Sequence, residues 1–327
     1  MIALHASHLA RCGHDVVIMA NVVDTVFDID EAVRIKKITL KGKLGTLVSA
    51  VFEKSDADLV IADIIPMACL LYMRSRRKVV YFAQDYDESY YSDIFSKRFI
   101  RSLYYLGLKF FRIQTISVSS PLADLLRDRF SANAVVVENG VDTGIFYPDP
   151  DSDLIASKED RRAVLLFSRS DRRKGFDIAK AVVSCLTEAL AGSFEVWTVG
   201  EPCAGTFSDI VHRDFGYVGE DRLRKIMSSA DMFLYPSRHE GFPLMVIEAF
   251  RCCCPTVTTR AVPYAVNKVN ALVSDIDDVN SLAADCLSLL SDKSLKDHIV
   301  QQGFQYASGL SLSVVTDNFE NVLLKMV

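Results

Sequence analysis

Short apolar runs alternate along the chain with longer stretches that favour helices. The runs at 57–62, 78–82 and 163–167 are rich in aliphatic and aromatic residues and are bounded by charged residues. Apolar runs of this length are typical of strands that are buried on both faces. Strands that alternate with helices in this way indicate an α/β fold, with parallel sheets and helices on both faces of each sheet.

The length of the chain bears on the number of domains. A chain of 327 residues exceeds what one ordinary hydrophobic core accommodates, so we expect two domains. Residues 147–161 are polar and rich in turn-forming residues, which is typical of a linker. We therefore predict a first domain over residues 1–146, a second domain over residues 162–310 and a C-terminal helix within residues 311–327.

Composition and charge exclude several classes of protein. Hydrophobic residues make up 50% of the chain, and the formal net charge of −5 gives no reason to expect nucleic acid as a partner. No apolar run reaches the roughly 18 residues of a membrane-spanning helix, and the first residues lack the pattern of a signal peptide. We expect a cytoplasmic protein.

The cysteines are scattered over the chain, except for three that are adjacent at 252–254. Adjacent cysteines suit neither a disulfide framework nor the spacing of a zinc site. We predict that the cysteines are buried thiols in a reducing compartment, with a metal or redox role as the alternative.

Residues 97–113 combine basic, aromatic and aliphatic side chains. A basic amphipathic helix that is rich in aromatic residues can lie on an anionic membrane surface, which for a cytoplasmic protein is the inner face of the membrane. The same composition also fits core packing with a solvated basic edge. Two interpretations stay open: peripheral membrane contact through this segment, or burial within the first domain.

The stretch from 231 to 256 predicts a strand, a loop and a helix in succession. An apolar run is followed by a polar loop, and the residues from Leu244 onward favour helix. Ser237 and Glu240 are candidate acceptors for the unpaired amide groups at the start of that helix. A helix N-terminus after a parallel strand attracts phosphates and other anionic ligands, and Glu240 and Glu248 frame this predicted site.

A cluster of cations lies between another predicted strand and the helix that follows it. Residues 168–176 have the sequence Ser-Arg-Ser-Asp-Arg-Arg-Lys-Gly-Phe. Several cations at the carboxyl end of a strand, facing a helix N-terminus, favour a diphosphate ligand on electrostatic grounds. An exposed basic turn without a ligand is the alternative.

The loop and helix around the two glutamates resemble a family signature. The order Pro-Ser-x-x-Glu-Gly-Phe, then Glu-Ala, between Pro236 and Ala249 is similar to the E-x7-E motif of retaining GT-B glycosyltransferases, specifically glycosyltransferase family 4, the group 1 glycosyl transferases. Residues 134–146 resemble the passage by which that family leaves its first domain. The resemblance implies two Rossmann-like domains that face a cleft, and a C-terminal helix that crosses back to the first domain.

The chain also departs from the family pattern. We expect the first domain to lack the strand and the glycine-rich loop that precede the first helix in the family. Ser168 and Cys253 stand where the family usually has glycine, and residues 258–264 replace its Gly-Gly-x-x-Glu segment. These differences affect regions that approach the donor and the acceptor in the family.

The resemblance implies roles for individual residues. Arg169 and Lys174 are expected to hold the donor diphosphate, and Glu248 the ribose hydroxyls. Glu240, near the donor sugar, and Gln84, facing the transferred sugar, are the predicted catalytic residues, with a polar strand cap as the alternative role of Gln84. The remaining predicted donor-binding positions are Phe242, Pro243 and Leu244 beside the sugar or phosphate, and Tyr217 and Val218 beside the base.

The implied activity is transfer of a hexose or deoxyhexose, with retention of configuration, from a nucleotide-diphosphate sugar. The implied acceptor is a polysaccharide or a lipid-linked glycan in bacterial cell-surface glycan synthesis. Neither a metal nor a cofactor is expected beyond this nucleotide-sugar donor. The alternative hypothesis is a truncated or degenerate GT-B homologue that serves as a binding or assembly partner with little activity. The departures from the family pattern favour that alternative, whereas the intact cations and glutamates oppose it.

Overall fold

The computed structural model describes residues 1–20, 29–38, 42–52, 56–75, 78–190 and 192–327. These residues form two compact units, Met1–Gly140 with Leu312–Val327, and Val141–Ser311. The strands of the first unit are β1 (Val17–Ala20), β2 (Arg34–Lys37), β3 (Leu59–Ala62), β4 (Lys78–Ala83), β5 (Gln114–Ser117) and β6 (Ala134–Val136). Its helices are α1 (Ile2–Arg11), α2 (Gly42–Phe52), α3 (Ile65–Ser75), α4 (Ile94–Tyr104), α5 (Ser120–Phe130) and α12 (Leu312–Leu324).

The second unit has the same alternation of strands and helices. Its strands are β7 (Arg162–Ser168), β8 (Phe194–Gly200), β9 (His212–Asp214), β10 (Met232–Tyr235), β11 (Thr256–Thr259) and β12 (Leu272–Ser274). Its helices are α6 (Ser152–Ser157), α7 (Phe176–Leu190), α8 (Glu220–Ser229), α9 (Leu244–Arg251), α10 (Val279–Ser291) and α11 (Lys293–Ser308).

The described residues of the first unit form two parallel sheets. Strands β3, β4, β5 and β6 pair in that order, and β1 pairs with β2 in a separate two-stranded sheet. β4 is buried from its second residue onward, as expected for a strand that is covered on both faces. The C-terminal helix α12 packs on α1, where the buried ring of His5 stacks on Phe319 with 4.0 Å between the ring centroids.

The second unit is built on a six-stranded parallel sheet with the strand order β12-β11-β10-β7-β8-β9. Strands β8 and β10 are buried along their whole length, because helices cover the sheet. From β7 the chain adds β8 and β9 on one side, and it then adds β10, β11 and β12 on the other side. The strand order therefore reverses between β7 and β10, and such a reversal opens a crevice at the carboxyl ends of the two strands.

The segment that we predicted as a linker, residues 147–161, contains α6 and packs against α8. The amide groups of Asp149 and Asp151 donate hydrogen bonds to the hydroxyl groups of Ser228 and Ser229, at 3.0 and 2.9 Å. The carboxylate of Asp151 accepts hydrogen bonds from the first amide groups of α6. This cap explains why a stretch rich in turn-forming residues forms a short helix.

Residues 97–113 are divided between two kinds of helix. α4 ends at Tyr104, and a π-helical turn follows over Tyr105–Phe110. A Cβ atom at Gly107 would lie 2.9 Å from the sulfur atom of Cys69, so this turn approaches α3 too closely for a larger residue. The amphipathic helix predicted from the sequence is therefore shorter than expected, and close packing against α3 accompanies the change.

The two sides of α4 differ in burial. Ile100 and Tyr104 are buried, so core packing accounts for one side of the helix. Phe95 and Phe99, one turn apart, are 80% and 63% exposed, and the exposed Arg98 lies between them in the sequence. Core packing does not account for this aromatic side. Within the described ranges, no helix is both long enough and apolar enough to cross a membrane.

The cysteines are all free thiols, but they differ in burial. Four are buried, in agreement with the prediction of buried thiols, and three are only half-buried. The buried ones are Cys69, Cys252, Cys254 and Cys286, and the half-buried ones are Cys185, Cys203 and Cys253. For Cys12 the prediction is wrong, because this thiol is exposed at the C-terminal end of α1.

Candidate functional site

The predicted donor-binding residues of the second unit follow strands at the edge where the strand order reverses. The loop at 169–175 follows β7, and the loop at 236–243 follows β10. Because β7 and β10 are parallel neighbours, these two loops leave the sheet side by side. This is the position at which open α/β sheets bind ligands.

Gly175 allows the two loops to touch. Its φ of +71° lies in the left-handed region, and a Cβ atom at this position would lie 1.9 Å from the carbonyl oxygen of Pro236. One residue pair ties the loops together directly: the amide of Arg238 donates a hydrogen bond of 2.7 Å to the carbonyl oxygen of Arg173. The backbone of the first loop is thus fixed against the loop that carries Glu240.

Glu240 is held by three side chains from the two loops and from β10. Each of its carboxylate oxygens lies 2.9 Å from the ammonium nitrogen of Lys174. The hydroxyl groups of Tyr235 and Ser237 each lie 2.7 Å from its Oε1 atom. The Glu240 side chain is only 5% exposed, so this nearly buried carboxylate has its charge compensated by Lys174. The structure brings the predicted phosphate-binding lysine and the predicted catalytic glutamate into direct contact.

The start of α9 lacks the side-chain cap that we expected. Pro243 occupies the cap position and offers no side-chain acceptor, so the expectation that Ser237 or Glu240 caps this helix is wrong. Glu240 faces Lys174 instead because the ion pair compensates its buried charge. Within the described ranges, the first amide groups of α9 therefore have no side-chain acceptor at the helix N-terminus, where anions bind.

Residues 258–264 pack against the loop at 236–243, which leads into the N-terminus of α9. The hydroxyl group of Tyr264 donates a hydrogen bond to the carbonyl oxygen of Pro243, and its ring packs on that of Phe242 with 4.5 Å between the centroids. The hydroxyl group of Thr258 donates a hydrogen bond of 2.7 Å to the carbonyl oxygen of Tyr235. The segment that replaces Gly-Gly-x-x-Glu thus positions Phe242 and Pro243 beside Leu244, the first residue of α9. This role was not predicted from the sequence. The hydroxyl groups of Thr258 and Tyr264 are the feature that could have indicated it.

Glu248 lies one turn into α9, where it has no hydrogen-bond partner for its carboxylate within the described part of the chain. Burial raises the pKa of Glu248 to about 8, and the negative charge of Glu220 raises it further. Glu220 opens α8, which packs on α9, and the predicted base-binding residues Tyr217 and Val218 lie three and two positions before it. Tyr217 is exposed and Val218 is half-buried. The structure thus connects Glu248 with the segment that carries these two residues.

Arg169 directly follows β7 and has an exposed guanidinium group. This group lies 5.6 Å from the ring centroid of Phe167, and its nearest carboxylate oxygen, on Glu201, is 3.9 Å away. Glu201 also accepts a hydrogen bond of 2.7 Å from the amide of Ser170. Glu201 was not identified from the sequence as part of the site. Its position directly after Val199-Gly200, at the end of a predicted strand, could have indicated it. Among the residues that the structure describes, Arg169 is therefore a cation at the strand end without a close ion pair.

Ser168, which stands where the family usually has glycine, does not project into the loop. Its hydroxyl group is buried and lies 3.0 Å from the carbonyl oxygen of Val199 and 2.6 Å from that of Glu201. The serine thus connects the ends of β7 and β8. Serine in place of glycine therefore does not displace the cations Arg169 and Lys174 that follow it.

Gln84 belongs to a different unit from the other predicted site residues. It directly follows β4 in the first unit and is half-buried, whereas Glu240 and the predicted donor-binding residues all lie in the second unit. The buried neighbour Asp87 accepts a hydrogen bond of 2.8 Å from the amide of Ile65, and burial raises its pKa to about 6. The end of β4 therefore carries a polar segment at the carboxyl edge of its own sheet.

Comparison of the sequence with known proteins gives a family match within the second unit. Residues 161–292 match the family described as glycosyl transferases group 1, and this range contains all the candidate donor-binding residues. The chain is 34% identical over 101 residues to the O-antigen chain mannosyltransferase B of Escherichia coli, which corresponds to 30% of this chain and 26% of that protein. The chain spans between 25% and 59% of the length of the curated relatives that it matches.

Solved structures share the fold over nearly the whole chain. Sucrose-phosphate synthase from Thermosynechococcus elongatus is 16% identical with a TM-score of 0.83, and the match covers 99% of this chain and 92% of that chain. The Anabaena protein HepE, in complex with UDP and glucose, is 16% identical with a TM-score of 0.78, and the match covers 99% and 95% of the two chains. The chain therefore has the GT-B fold, as predicted from the sequence. The resemblance to the group 1 glycosyl transferases is confirmed for residues 161–292.

Proposed function

We propose that the chain is a retaining glycosyltransferase that transfers a sugar from a nucleotide-diphosphate donor to a polysaccharide or lipid-linked acceptor. The observation that carries the proposal is the contact between the two loops at the reversal of strand order. One loop provides the cations Arg169 and Lys174, and the other provides Glu240 and leads into the uncapped N-terminus of α9. Cations and a helix N-terminus favour a diphosphate, while a carboxylate accepts hydrogen bonds from sugar hydroxyls.

Lys174 keeps capacity for a phosphate although it contacts Glu240. An ammonium group has three N–H donors, and two of them suffice for the two oxygens of Glu240, which are both at 2.9 Å. The third donor is available for a diphosphate oxygen. Lys174 would then link the diphosphate to the carboxylate that we place near the donor sugar.

The leaving diphosphate is the group that the site must stabilise during the reaction. Negative charge grows on it as the glycosidic bond breaks, and Arg169, Lys174 and the dipole of α9 stabilise that charge without a metal ion. We place Glu248 at the ribose, so Glu240 and Glu248 do not flank the scissile bond as the carboxylate pair of a hydrolase does. Gln84 would hydrogen-bond a sugar hydroxyl, since an amide cannot act as a base.

The relatives support the classes of donor and acceptor. HepE was solved with UDP and glucose, which supports a nucleotide and a sugar as ligands of this fold. The Escherichia coli relative is named for transfer of mannose to the O-antigen chain, which supports a bacterial cell-surface glycan as the product and a hexose or deoxyhexose as the transferred sugar.

We place the protein in the cytoplasm, at the inner face of the membrane. The exposed rings of Phe95 and Phe99 next to Arg98 support this, because aromatic and basic side chains together bind the interface of anionic bilayers. Replacing both phenylalanines with serine should reduce sedimentation with phosphatidylglycerol vesicles. Equal sedimentation of the variant and the wild-type protein would rule out this surface.

The stereochemistry of transfer tests the proposed activity. The purified chain is incubated with UDP-, GDP- and dTDP-linked sugars and with lipid-linked glycan acceptors, and the anomeric configuration of the product is read by proton NMR. We expect a product with the configuration of the donor, and Glu240→Gln should slow its formation at least about tenfold. An inverted product would contradict the retaining mechanism. Free sugar as the sole product with every acceptor would contradict transfer.

A further inference from the structure

A cluster of metal-binding side chain types lies in the first unit, outside the candidate donor site. His8 is on α1, Cys12 is at its C-terminal end, and Glu320 is on α12. One ligand atom of each residue lies within 4.8 Å of the ligand atoms of the other two. No second group of three such side chains occurs among the described residues. The cluster therefore joins the first and the last helix of the chain.

The spacing of the three ligand atoms fits one metal ion. The Nε2 atom of His8 lies 3.5 Å from the sulfur atom of Cys12 and 3.3 Å from Oε2 of Glu320. Tetrahedral zinc, with bonds of about 2.0–2.1 Å to nitrogen or oxygen and about 2.3 Å to sulfur, places nitrogen about 3.5 Å from sulfur and about 3.3 Å from oxygen. Two edges of such a tetrahedron are thus present already.

A further side chain holds the carboxylate of Glu320 in place. The Nε2 atom of His14 lies 2.8 Å from Oε1, the carboxylate oxygen that does not face His8. Metal-binding carboxylates commonly receive such a hydrogen bond from a second side chain, which fixes their orientation. Asp317 lies with Oδ1 3.3 Å from Nε2 of His8, so the site has a second carboxylate beside it. Both contacts involve residues outside α1, because His14 follows that helix and Asp317 lies on α12.

We propose that His8, Cys12 and Glu320 bind one zinc ion, with water as the fourth ligand and His14 as the residue that orients Glu320. Thiolate, imidazole and carboxylate together are a ligand set that zinc prefers. On binding, the thiol of Cys12 loses its proton to solvent, and the neutral imidazole of His8 donates the lone pair of Nε2. The ion connects α1 to α12 and stabilises their packing.

Zinc and cobalt binding to the full chain test the proposal. The protein carries no polyhistidine tag and is freed of metal with a chelator before titration. We expect one zinc ion per chain, with Cys12→Ser and Glu320→Gln each lowering the affinity at least about tenfold. Cys185→Ser and His298→Gln, at a half-buried thiol and an exposed imidazole of the second unit, are matched controls that should leave the affinity unchanged.

Cobalt provides a readout that does not depend on a variant being folded. Wild-type protein loaded with Co²⁺ should show the near-ultraviolet absorption of a thiolate–cobalt bond and the visible bands of tetrahedral cobalt. Zinc should also raise the melting temperature of the wild-type protein more than that of Cys12→Ser. The proposal is overturned if wild-type protein binds no zinc, if its cobalt spectrum lacks the thiolate band, or if zinc binds the two variants as tightly as the wild type.

Discussion

At the scale of single residues, Cys253 adopts a backbone conformation that suits glycine. Its φ of 56° places it in the left-handed region two residues after the end of α9, at a position where the family usually has glycine. A residue with a side chain is strained there by on the order of 1–2 kcal/mol. We expect Cys253→Gly to raise the free energy of unfolding by about 1 kcal/mol in urea denaturation.

The matched control for this prediction is the same substitution within a helix. Cys185 lies in α7 and is half-buried like Cys253, so Cys185→Gly should lower the free energy of unfolding by about 1 kcal/mol. Destabilisation of equal size at both positions would contradict the account of strain at Cys253.

Glu248 makes stability depend on pH. Burial raises its pKa from 4.5 in the unfolded chain to about 8, so the folded chain holds a proton that the unfolded chain has lost. The stabilisation from this group is complete below about pH 4.5 and is lost as the pH rises to about 8. Relative to wild type, Glu248→Gln should therefore gain stability, by up to a few kcal/mol, as the pH rises from 5 to 8.

Urea denaturation at several pH values measures this effect. Glu188→Gln, at an exposed position of α7, is the control and should follow the wild-type pH profile. Parallel profiles of Glu248→Gln and wild type would show that the carboxyl group of Glu248 is ionised in the folded protein at neutral pH.

The sequence predicted the charged residues of the candidate site but not their partners. Arg169, Lys174 and Glu240 follow recognisable strand ends, and their chemistry favours an anion and a sugar. The contact between Lys174 and Glu240 spans 66 positions of the chain, and it results from the pairing of β7 with β10. Local patterns carry no information on such pairing, which is why the ion pair and the support by Tyr264 were not foreseen.

At the scale of elements, the two loops of the candidate site depend on Gly175. In Gly175→Ala the new Cβ atom would clash with the carbonyl oxygen of Pro236 at 1.9 Å, and the loops would have to separate. We expect a loss of several kcal/mol in the free energy of unfolding and at least about tenfold weaker binding of nucleoside diphosphate. Urea denaturation and calorimetric titration measure the two effects.

Gly205→Ala separates steric contact from backbone strain. Gly205 has a φ of +79° but no atom within 4 Å of the Cβ position, so its substitution should cost only about 1 kcal/mol and should leave nucleotide binding unchanged. If Gly175→Ala behaves like Gly205→Ala in both measurements, the contact between the loops is not needed for the site.

Most elements were predictable from the pattern of apolar residues, and the exceptions have local causes. The strands β4 and β7 and the start of α9 lie where the sequence indicated them. The short helix α6 was missed because its cap residue, Asp151, lies in a stretch rich in turn-forming residues. The π-helical turn after α4 was missed because it accompanies close packing against α3, which the sequence of the turn does not reveal.

At the scale of the whole molecule, the sequence predicted the fold class, and the resemblance to the group 1 glycosyl transferases is confirmed for residues 161–292. What the sequence could not provide is the order of strands in the sheet of the second unit. That order puts β7 next to β10, and the reversal there explains on physical grounds why the cations and Glu240 meet at one edge. The domain limits and the roles of all the predicted site residues stay predictions.

The most direct test of the account is calorimetric titration of the full chain with UDP, GDP and dTDP. We expect one of them to bind with one molecule per chain, and Arg169→Ala and Lys174→Met each to weaken that binding at least about tenfold, since each removes a charge-assisted contact to the diphosphate. Arg169→Ala is the cleaner variant because its nearest carboxylate is 3.9 Å away, whereas Lys174→Met also unpairs Glu240. Lys180→Met, at an exposed position of α7, should bind like the wild type. Absence of binding by all three nucleotides, or equal affinity in all the variants, would contradict a donor site at the loops that follow β7 and β10.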